Sequence, residues 1–390
     1  MKQKRLPVTI QKMIVDPIRE LSESGRLTGM MLISATLLSI LLSNSDYGAN
    51  YIHLWQQKIG FSFLNKTIEH WINDGLMVLF FFLVGLEIKR ELLVGELANP
   101  RQALLPIFAA LGGMVVPALI FFVFNQSSPE NMKGWAIPTA TDIAFSLGIL
   151  SLLGKRVPVS LKVFLTALAI IDDLAAILII AVFYTRGLQM EMLMYAGLFI
   201  LILLALDRFR NRFLFLYMIT GAGLWYFVMK SGIHPTIAGV ITAFLIPREF
   251  TGKMEHTLVK PVNYIVLPLF ALANTAIPLS LDSTGSALFS TLSLGIVFGL
   301  FLGKPIGILL MTLLAVHSGV AVLPDRSNRV QLLGVGLLAG VGFTMSIFIA
   351  SLSFVSGVTL NLAKLAIIGG SVCAAGAGAL ILWMAGTRKG

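Results

Sequence analysis

The feature that most restricts this sequence is a series of long apolar stretches, separated by short segments that hold most of the charges. A stretch of roughly 20 apolar residues is long enough to cross the hydrocarbon core of a bilayer as an α-helix. Only 12% of the 390 residues are charged and 57% are hydrophobic, which is too little charge to cover a water-soluble surface of this size. The sequence therefore predicts an all-α integral membrane protein with one domain over residues 1–390.

The apolar stretches predict about twelve membrane spans. They fall near residues 27–43, 71–88, 103–125, 135–153, 158–184, 190–206, 213–230, 234–247, 261–281, 287–316, 330–354 and 360–384. The stretch at 234–247 is short for a full crossing, which indicates a half-length or re-entrant segment. Residues 1–26 are basic, and we interpret them as a cytoplasmic segment that leads into an uncleaved first span.

The distribution of Lys and Arg predicts the orientation of the spans. The formal net charge is +10, yet the basic residues lie at the ends of apolar stretches and mostly on alternate connections, instead of forming one patch. The positive-inside rule then puts both termini in the cytoplasm, and no nucleic-acid partner is expected. With Cys373 as the only cysteine, an intrachain disulfide and a thiolate metal site are excluded.

The longest outer connection, residues 44–70, is predicted to be periplasmic. Its segment 58–65 alternates apolar and polar residues around a glycine, which fits either a small β-hairpin or an irregular loop at the membrane interface. A hairpin with exposed edges can pair with a copy of itself, so this segment is the predicted contact of a homodimer.

Three aspartates and one lysine lie inside the predicted spans, where charge is costly. Asp142 lies in the fourth span, Asp172 and Asp173 in the fifth, and Lys304 in the tenth. Each such charge costs roughly 2.5–3.5 kcal/mol at the centre of a span, so the four groups must face one another or a water-filled cavity. A structural ion pair between Lys304 and one aspartate would leave the other two aspartates unexplained.

When fully ionised, this cluster carries an excess of negative charge, which an apolar medium requires to be neutralised. Protons can neutralise carboxylates, and so can a small hard cation, which prefers carboxylate and carbonyl oxygens. Competition between protons and a cation for the same carboxylates is the chemistry of ion exchange. One site that opens alternately to either side of the membrane would suffice.

Two predicted spans are interrupted near their middle. The fourth span holds Pro138, Thr141 and Asp142 together, and the eleventh holds several glycines before Thr344. Breaks at this depth are tolerated only where the freed backbone groups are satisfied or line a cavity, whereas close helix packing is the alternative explanation for the glycines. Because half-helix ends carry partial charges, Asp142 is expected to offset the N-terminal ends and Lys304 the C-terminal ends.

At these residues the sequence closely resembles the NhaA-type sodium/proton antiporters of bacterial inner membranes. The matching strings, in family order, are WIND at 71–74, LVGLEIKRE at 83–91, GWAIPTATDIA at 134–144, AIIDD at 169–173, KSGIH at 230–234, GKP at 303–305 and GFTMSIFIA at 342–350. The resemblance implies an inverted repeat in which interrupted spans four and eleven cross near the midplane. It also implies electrogenic, pH-regulated exchange of Na⁺ or Li⁺ for protons, with no resident cofactor and no enzymatic activity.

The resemblance also implies roles for individual residues. Asp172 and Asp173 take the positions that bind Na⁺ and protons, and Lys304 is the charge partner of Asp172. The positions at the helix crossing are Thr141, Asp142 and Gly342. Those that sense pH at the cytoplasmic entrance are Glu87, Arg90, Glu91, Lys253, Glu255 and His256, and His234 is a further position linked to the pH response. From composition alone, the entrance residues also fit an ordinary solvated helix end, and His234 a helix-start cap.

Three other functions use charged groups within a membrane. A Na⁺- or H⁺-coupled symporter of a small organic solute shares the architecture with two broken helices and is the nearest alternative, although the sequence offers no obvious set of solute-recognition groups. An intramembrane aspartyl protease needs its aspartates on separate helices, one within Gly-x-Gly-Asp, which this sequence lacks. A channel is disfavoured because groups that bind an ion strongly slow its conduction.

Overall fold

The computed structural model describes residues 16–60, 64–185, 187–209, 213–279, 289–325, 327–355 and 357–386. Residues 1–15 of the predicted cytoplasmic segment, residues 61–63 of the predicted periplasmic connection and the last four residues lie outside these ranges. The described part is almost entirely helical, as the apolar stretches predict. Among its helices, nine are long and apolar enough to cross a membrane, and two bent helix pairs bring the number to eleven.

The helices follow the chain in an order that matches the predicted spans. They are α1 (Asp16–Ser43), α2 (Gly48–Gln56), α3 (Ile68–Val94), α4 (Pro100–Asn125), α5 (Pro129–Thr139), α6 (Ile143–Leu152), α7 (Val159–Phe183), α8 (Met190–Arg208), α9 (Leu214–Ser231), α10 (Thr236–Leu245), α11 (Arg248–Asn274), α12 (Thr291–His317), α13 (Arg329–Ala339), α14 (Phe343–Ser353) and α15 (Val358–Ala385). The short helix α10 corresponds to the stretch for which a half-length segment is predicted.

The two predicted interruptions are confirmed as bends between half-helices. Helices α5 and α6 meet at 43°, and α13 and α14 meet at 44°. Residues 140–142 and 340–342 lie between the half-helices, and α5 itself has a turn at 133–136 between a short α-helix and a 3-10 helix. The all-α membrane fold with two interrupted spans is therefore confirmed.

The helix that contains the predicted ninth span begins well before residue 261. Helix α11 begins at Arg248 and ends at Asn274. The charged residues before 261 continue the helix instead of forming a loop, because Met254 and Glu255 pack on the protein while Lys253 and His256 face outward. The charged residues lower the average hydropathy of this segment, and an average does not reveal its amphipathic helical pattern.

Three long helices contain a π-helical turn. These turns are Trp71–Leu76 in α3, Val262–Val266 in α11 and Gly299–Gly303 in α12. The wider turn displaces the side chains that follow it from the regular helical face, and such turns are frequent at functional sites. The turn in α12 ends immediately before Lys304.

Helices α4 and α12 touch through their backbones, which fixes the position of Lys304. A Cβ atom on Gly112 would lie 2.1 Å from the carbonyl oxygen of Gly307, and one on Gly307 would lie 2.0 Å from that of Gly112. Only glycine permits this approach, and it occurs within one helical turn of the lysine.

Two short strands precede α3 in the connection between the first two spans. Strands β1 (Lys58–Ile59) and β2 (Lys66–Thr67) pair antiparallel, with Lys58 opposite Thr67. The indole Nε1 of Trp71 donates to the Ile59 carbonyl at 2.7 Å and ties the hairpin to α3. A homodimer contact at this hairpin stays a prediction.

Candidate functional site

The two breaks cross each other, and their backbones and side chains are joined by hydrogen bonds. The Asp142 amide donates to the Val341 carbonyl at 2.7 Å. The hydroxyl of Ser146 on α6 donates to the Leu338 carbonyl, and that of Ser346 on α14 donates to the Ile137 carbonyl, both at 2.7 Å. Helices α6 and α14 thus each satisfy a carbonyl near the end of the half-helix opposite, which leaves fewer unpaired polar groups at the breaks.

Asp142 caps the N-terminal ends of both α6 and α14. Its Oδ1 accepts from the Phe145 amide at 3.0 Å. Its Oδ2 accepts from the Thr344 amide at 3.0 Å and from the Thr344 hydroxyl at 2.5 Å. A buried carboxylate that receives three donors at two positive helix ends is stabilised in its charged form, in the position that the sequence predicts.

Asp172 and Lys304 form an ion pair that is closed to solvent. The Lys304 Nζ donates to Asp172 Oδ2, and both side chains are 0% exposed. The hydroxyl of Thr141 connects this ion pair to the crossing. Its Oγ1 accepts a hydrogen bond from Lys304 Nζ at 2.7 Å. The same Oγ1 lies 2.6 Å from Asp172 Oδ2 and 2.8 Å from the Ala339 carbonyl oxygen. Lys304 therefore reaches the C-terminal end of α13 through this hydroxyl, whereas the sequence predicts a direct interaction.

Gly342 completes the crossing by allowing close contact. A Cβ atom at this position would lie 2.1 Å from Ser346 Oγ and 3.1 Å from the carbonyl oxygen of Ala140. The residue thus leaves room for the polar groups on both broken spans, as its predicted place at the crossing requires.

Asp173 lines a small cavity beside the crossing. The cavity has a volume of about 40 Å³ and is also lined by Asp142, Thr344 and Glu87. Among the described residues, Oδ1 of Asp173 and Oδ1 of Asp172 are buried and have no hydrogen-bond partner. A water molecule needs at least roughly 10–15 Å³, so the cavity has room for a small ion or water beside an unsatisfied carboxylate oxygen.

The predicted entrance residues lie on α3 and α11, and four of them form one cluster. Arg90 pairs with Glu91 at 3.1 Å and with Glu255 at 3.2 Å. Glu87, one turn before Glu91, is buried and lines the cavity that leads to Asp173. Lys253 and His256 are exposed on the same helix as Glu255 and do not line this cavity.

His234 lies apart from this cavity. Its Nε2 is 3.5 Å from Asp74 Oδ1, its Nδ1 is 2.8 Å from Thr236 Oγ1, and its ring packs edge-on against Phe348. The sequence also allows His234 to cap the start of α10, but no side chain accepts a hydrogen bond from the first backbone amides of this helix. The side chain instead links α10 to α3 and α14.

Sequence reasoning missed two polar residues of this region. Ser146 bonds across the crossing, and Asn263 lines the same cavity as Asp173. One signal was available for the serine, because Ser146 follows its break by four residues just as Ser346 does. For Asn263 no comparable signal exists, because its place depends on the π-helical turn in α11.

Comparisons with known proteins identify the family of the chain. The family model described as Na⁺/H⁺ antiporter 1 matches residues 19–382. The chain is 49% identical over 364 residues to the Na⁺/H⁺ antiporter NhaA 2 of Flavobacterium johnsoniae, covering 91% of this chain and 89% of the relative. It is 48% identical to the Na⁺/H⁺ antiporter NhaA of Cytophaga hutchinsonii, with 94% of both chains covered, and to NhaA 1 of Klebsiella pneumoniae, with 95% and 97% covered.

Proposed function

The chain belongs to the Na⁺/H⁺ antiporter 1 family, and from this premise we propose that Asp172 and Asp173 are the carboxylates for which Na⁺ and protons compete. Membership makes the protein a multi-pass membrane transporter that exchanges Na⁺ for H⁺. The comparisons name antiporters throughout, and none of them favours a solute symporter. The remaining question is how this chain performs the exchange.

The observation that carries the proposal is the pair of unsatisfied carboxylate oxygens. Both Oδ1 atoms, of Asp172 and Asp173, are buried without a hydrogen-bond partner in the described part of the chain. Leaving a buried oxygen unsatisfied costs about 1–3 kcal/mol, and more if it is charged. Either a proton on the carboxyl group or a bound cation removes that cost, which is the condition for competition between them.

The three aspartates near the crossing differ in what offsets their negative charge. The charge of Asp142 is offset by two helix ends, and that of Asp172 by Lys304. Asp173 forms no ion pair with a basic side chain in the described part of the chain, so this carboxylate requires a proton or a cation whenever the site is closed. When Na⁺ binds between Asp172 and Asp173, it displaces the proton of Asp173, and loss of a second proton from the Asp172–Lys304 pair in the same step makes the exchange electrogenic.

Alternating access follows from the same groups. A protonated or Na⁺-loaded site buries less uncompensated charge than the empty site that has lost its protons, so both of these forms can be enclosed at lower cost. At the crossing of α5/α6 with α13/α14, the half-helices can move relative to each other while the Asp142 carboxylate keeps its hydrogen bonds to the N-termini of α6 and α14. The mechanism needs no resident cofactor, because protons and cation are both substrates.

We extend the proposal to the setting of the protein. The bacterial inner membrane fits the function, with both termini cytoplasmic, so that the cavity opens past Glu87 toward the cytoplasm. There Arg90, Glu91, Glu255, Lys253 and His256 would adjust activity to pH, with His234 acting at the other side. Li⁺ would be carried like Na⁺, and the hairpin β1–β2 would join two copies into a homodimer.

A flux assay on vesicles tests the assignment of the two aspartates. Purified protein in acid-loaded vesicles with an internal pH-sensitive dye is expected to release protons when Na⁺ or Li⁺ is added outside. Asp172→Asn and Asp173→Asn should each abolish this release. Glu130→Gln, at an exposed position in the first turn of α5, is the matched control and should retain it. Full release by Asp173→Asn would overturn the assignment.

A further inference from the structure

An ion pair outside the ion site joins the start of α3 to α15. The Nζ atom of Lys364, in the second turn of α15, lies 3.8 Å from Oε1 of Glu69, in the first turn of α3. The lysine side chain is 6% exposed and the glutamate side chain 32% exposed. Because α3 follows directly on strand β2, this pair lies on the side of the molecule that carries the hairpin β1–β2, which we call the hairpin face.

A pair of asparagines lies one helical turn deeper and joins α3 to α11. The Nδ2 atom of the buried Asn274 donates to Asn73 Oδ1 at 2.8 Å, and Asn73 Nδ2 donates to Asn274 Oδ1 at 3.3 Å. The hydroxyl of Ser351 on α14 lies 3.4 Å from the same Asn274 oxygen and 3.1 Å from the Ile347 carbonyl oxygen. Since a hydroxyl has one proton, Ser351 can donate to either acceptor, and its contact with α11 is weak.

These contacts connect the second broken span and its successor with two other helices. The half-helix α14 begins at the crossing and packs against α11. Between the crossing and Ser351, the ring of Phe348 lies 5.2 Å from that of Phe81 on α3 and 6.3 Å from that of Phe270 on α11. A path from the crossing to the hairpin face therefore requires α14 and α15 to separate from α3 and α11.

We propose that the Glu69–Lys364 ion pair and the Ser351–Asn274 contact form a latch that holds the ion site closed toward the hairpin face. The inference rests on the proposed function, because alternating access requires a path that closes on each side in turn. When the latch opens, water reaches both partners of the ion pair, and hydration replaces the lost contact. A partly exposed ion pair and one weak hydrogen bond give a bias small enough to be reversed in every transport cycle.

Hydrogen–deuterium exchange measures this opening without relying on transport. The first variant is Lys364→Met, which removes the charge, keeps a long unbranched side chain and leaves Glu69 in contact with water. In purified protein in nanodiscs, we expect the amides of residues 346–353 on α14 to exchange about fivefold faster, the factor that one partly exposed ion pair supplies. Ser351→Ala should accelerate the same amides by about twofold, and Lys364→Arg should restore slow exchange.

The matched control is a second ion pair that does not join two spans. Glu130 and Lys133 lie three residues apart, 2.8 Å from nitrogen to oxygen, and both are exposed. Glu130→Gln should therefore leave exchange in α14 unchanged. Helix α8 is the reference for global unfolding, since a variant that loosens the whole fold accelerates exchange there as well.

The latch also predicts opposite effects on Na⁺ at the two faces. Lys364→Met shifts the population toward the form that is open at the hairpin face. The apparent KM for Na⁺ supplied at that face should fall, and the KM for Na⁺ supplied at the opposite face should rise, each by up to about fivefold. Proton flux in right-side-out and inside-out membrane vesicles gives the two values.

Unchanged exchange in Lys364→Met, or an equal acceleration in α8, would overturn the inference, as would a KM that changes in the same direction at both faces. If Lys364→Met fails to fold, Ser351→Ala decides, and exchange as slow as in the unchanged protein rejects the latch. Asp173→Asn separates the two proposals. Flux retained in that variant rejects the proposed function, whereas flux lost there together with unchanged exchange in Lys364→Met rejects only this inference.

Discussion

One carboxylate oxygen of Asp142 accepts two hydrogen bonds from a single residue, Thr344, which belongs to the other broken span. The Oδ2 atom receives the Thr344 amide at 3.0 Å and its hydroxyl at 2.5 Å, while Oδ1 receives the Phe145 amide at 3.0 Å. Asp142 thereby replaces the helical hydrogen bonds that both spans lose at their breaks. We therefore expect Asp142 to have a structural role in the proposed site, with ion exchange carried by the neighbouring aspartates.

Removal of the Asp142 carboxylate should therefore lower stability. We expect Asp142→Ala to reduce the free energy of unfolding by roughly 2–4 kcal/mol, since two helix N-termini lose their cap. Thr344→Val, which removes only the hydroxyl donor, should cost about 1 kcal/mol. Thermal unfolding of the detergent-purified variants checks this order, and an Asp142→Ala variant as stable as Thr344→Val would contradict it.

The ion pair of Asp172 and Lys304 should show strong coupling in a double-mutant cycle. Lys304→Met alone leaves a buried charge without its partner and is expected to cost roughly 3–5 kcal/mol. Asp172→Asn combined with Lys304→Met removes both charges, so most of that stability should return. Unfolding temperatures of the two single variants and the double variant measure the coupling. Additive losses would mean that the pair contributes no interaction energy.

Competition between Na⁺ and protons predicts how transport depends on pH. As pH falls, protonated carboxylates exclude Na⁺, so the apparent KM for Na⁺ should rise by up to about tenfold per pH unit for each displaced proton. At saturating Na⁺ the competition is overcome, and the maximal rate should change much less. Proton-flux titrations with Na⁺ across a pH series test this, and a KM independent of pH would contradict competition.

Glu96, on the turn between α3 and α4, should make stability depend on pH outside the membrane spans. Its partial burial raises the pKa of this carboxyl above the usual value, and the nearby Glu91 raises it further. A raised pKa means that the folded state binds the proton more tightly, so stability is full at acid pH and falls as pH rises through the folded pKa. Glu96→Gln should therefore raise Tm near neutral pH and leave it unchanged near pH 4. A Tm gain of equal size at both pH values would contradict this assignment.

Much of this architecture could be predicted because charge inside a bilayer is rare and costly. Asp142, Asp172, Asp173 and Lys304 could be identified one by one from the apolar stretches around them, and the breaks from the prolines and glycines beside them. The contacts between them depend on how the helices pack. Asn263 could not be identified, because a π-helical turn sets its direction and such a turn leaves no clear pattern in the residues.

The predicted helix boundaries are less accurate where a helix continues through charged residues. Helix α11 continues through charged residues from Arg248, because one of its faces packs on the protein and the other faces outward. Hydropathy reports the environment of a segment and not its backbone conformation. The same limit applies to Ser146, a common residue in an apolar helix whose role appears only when the second broken span lies beside it.

The most direct test of the central claim is to measure protons released when Na⁺ binds to the purified protein in weakly buffered detergent solution. The account predicts that added Na⁺ releases protons near neutral pH, that the amount released falls at alkaline pH where the carboxylates are already ionised, and that Asp173→Asn abolishes the release. Glu130→Gln should behave like the unchanged protein. Sodium binding without proton release, or equal release from Asp173→Asn, would show that Na⁺ and protons do not compete for these carboxylates.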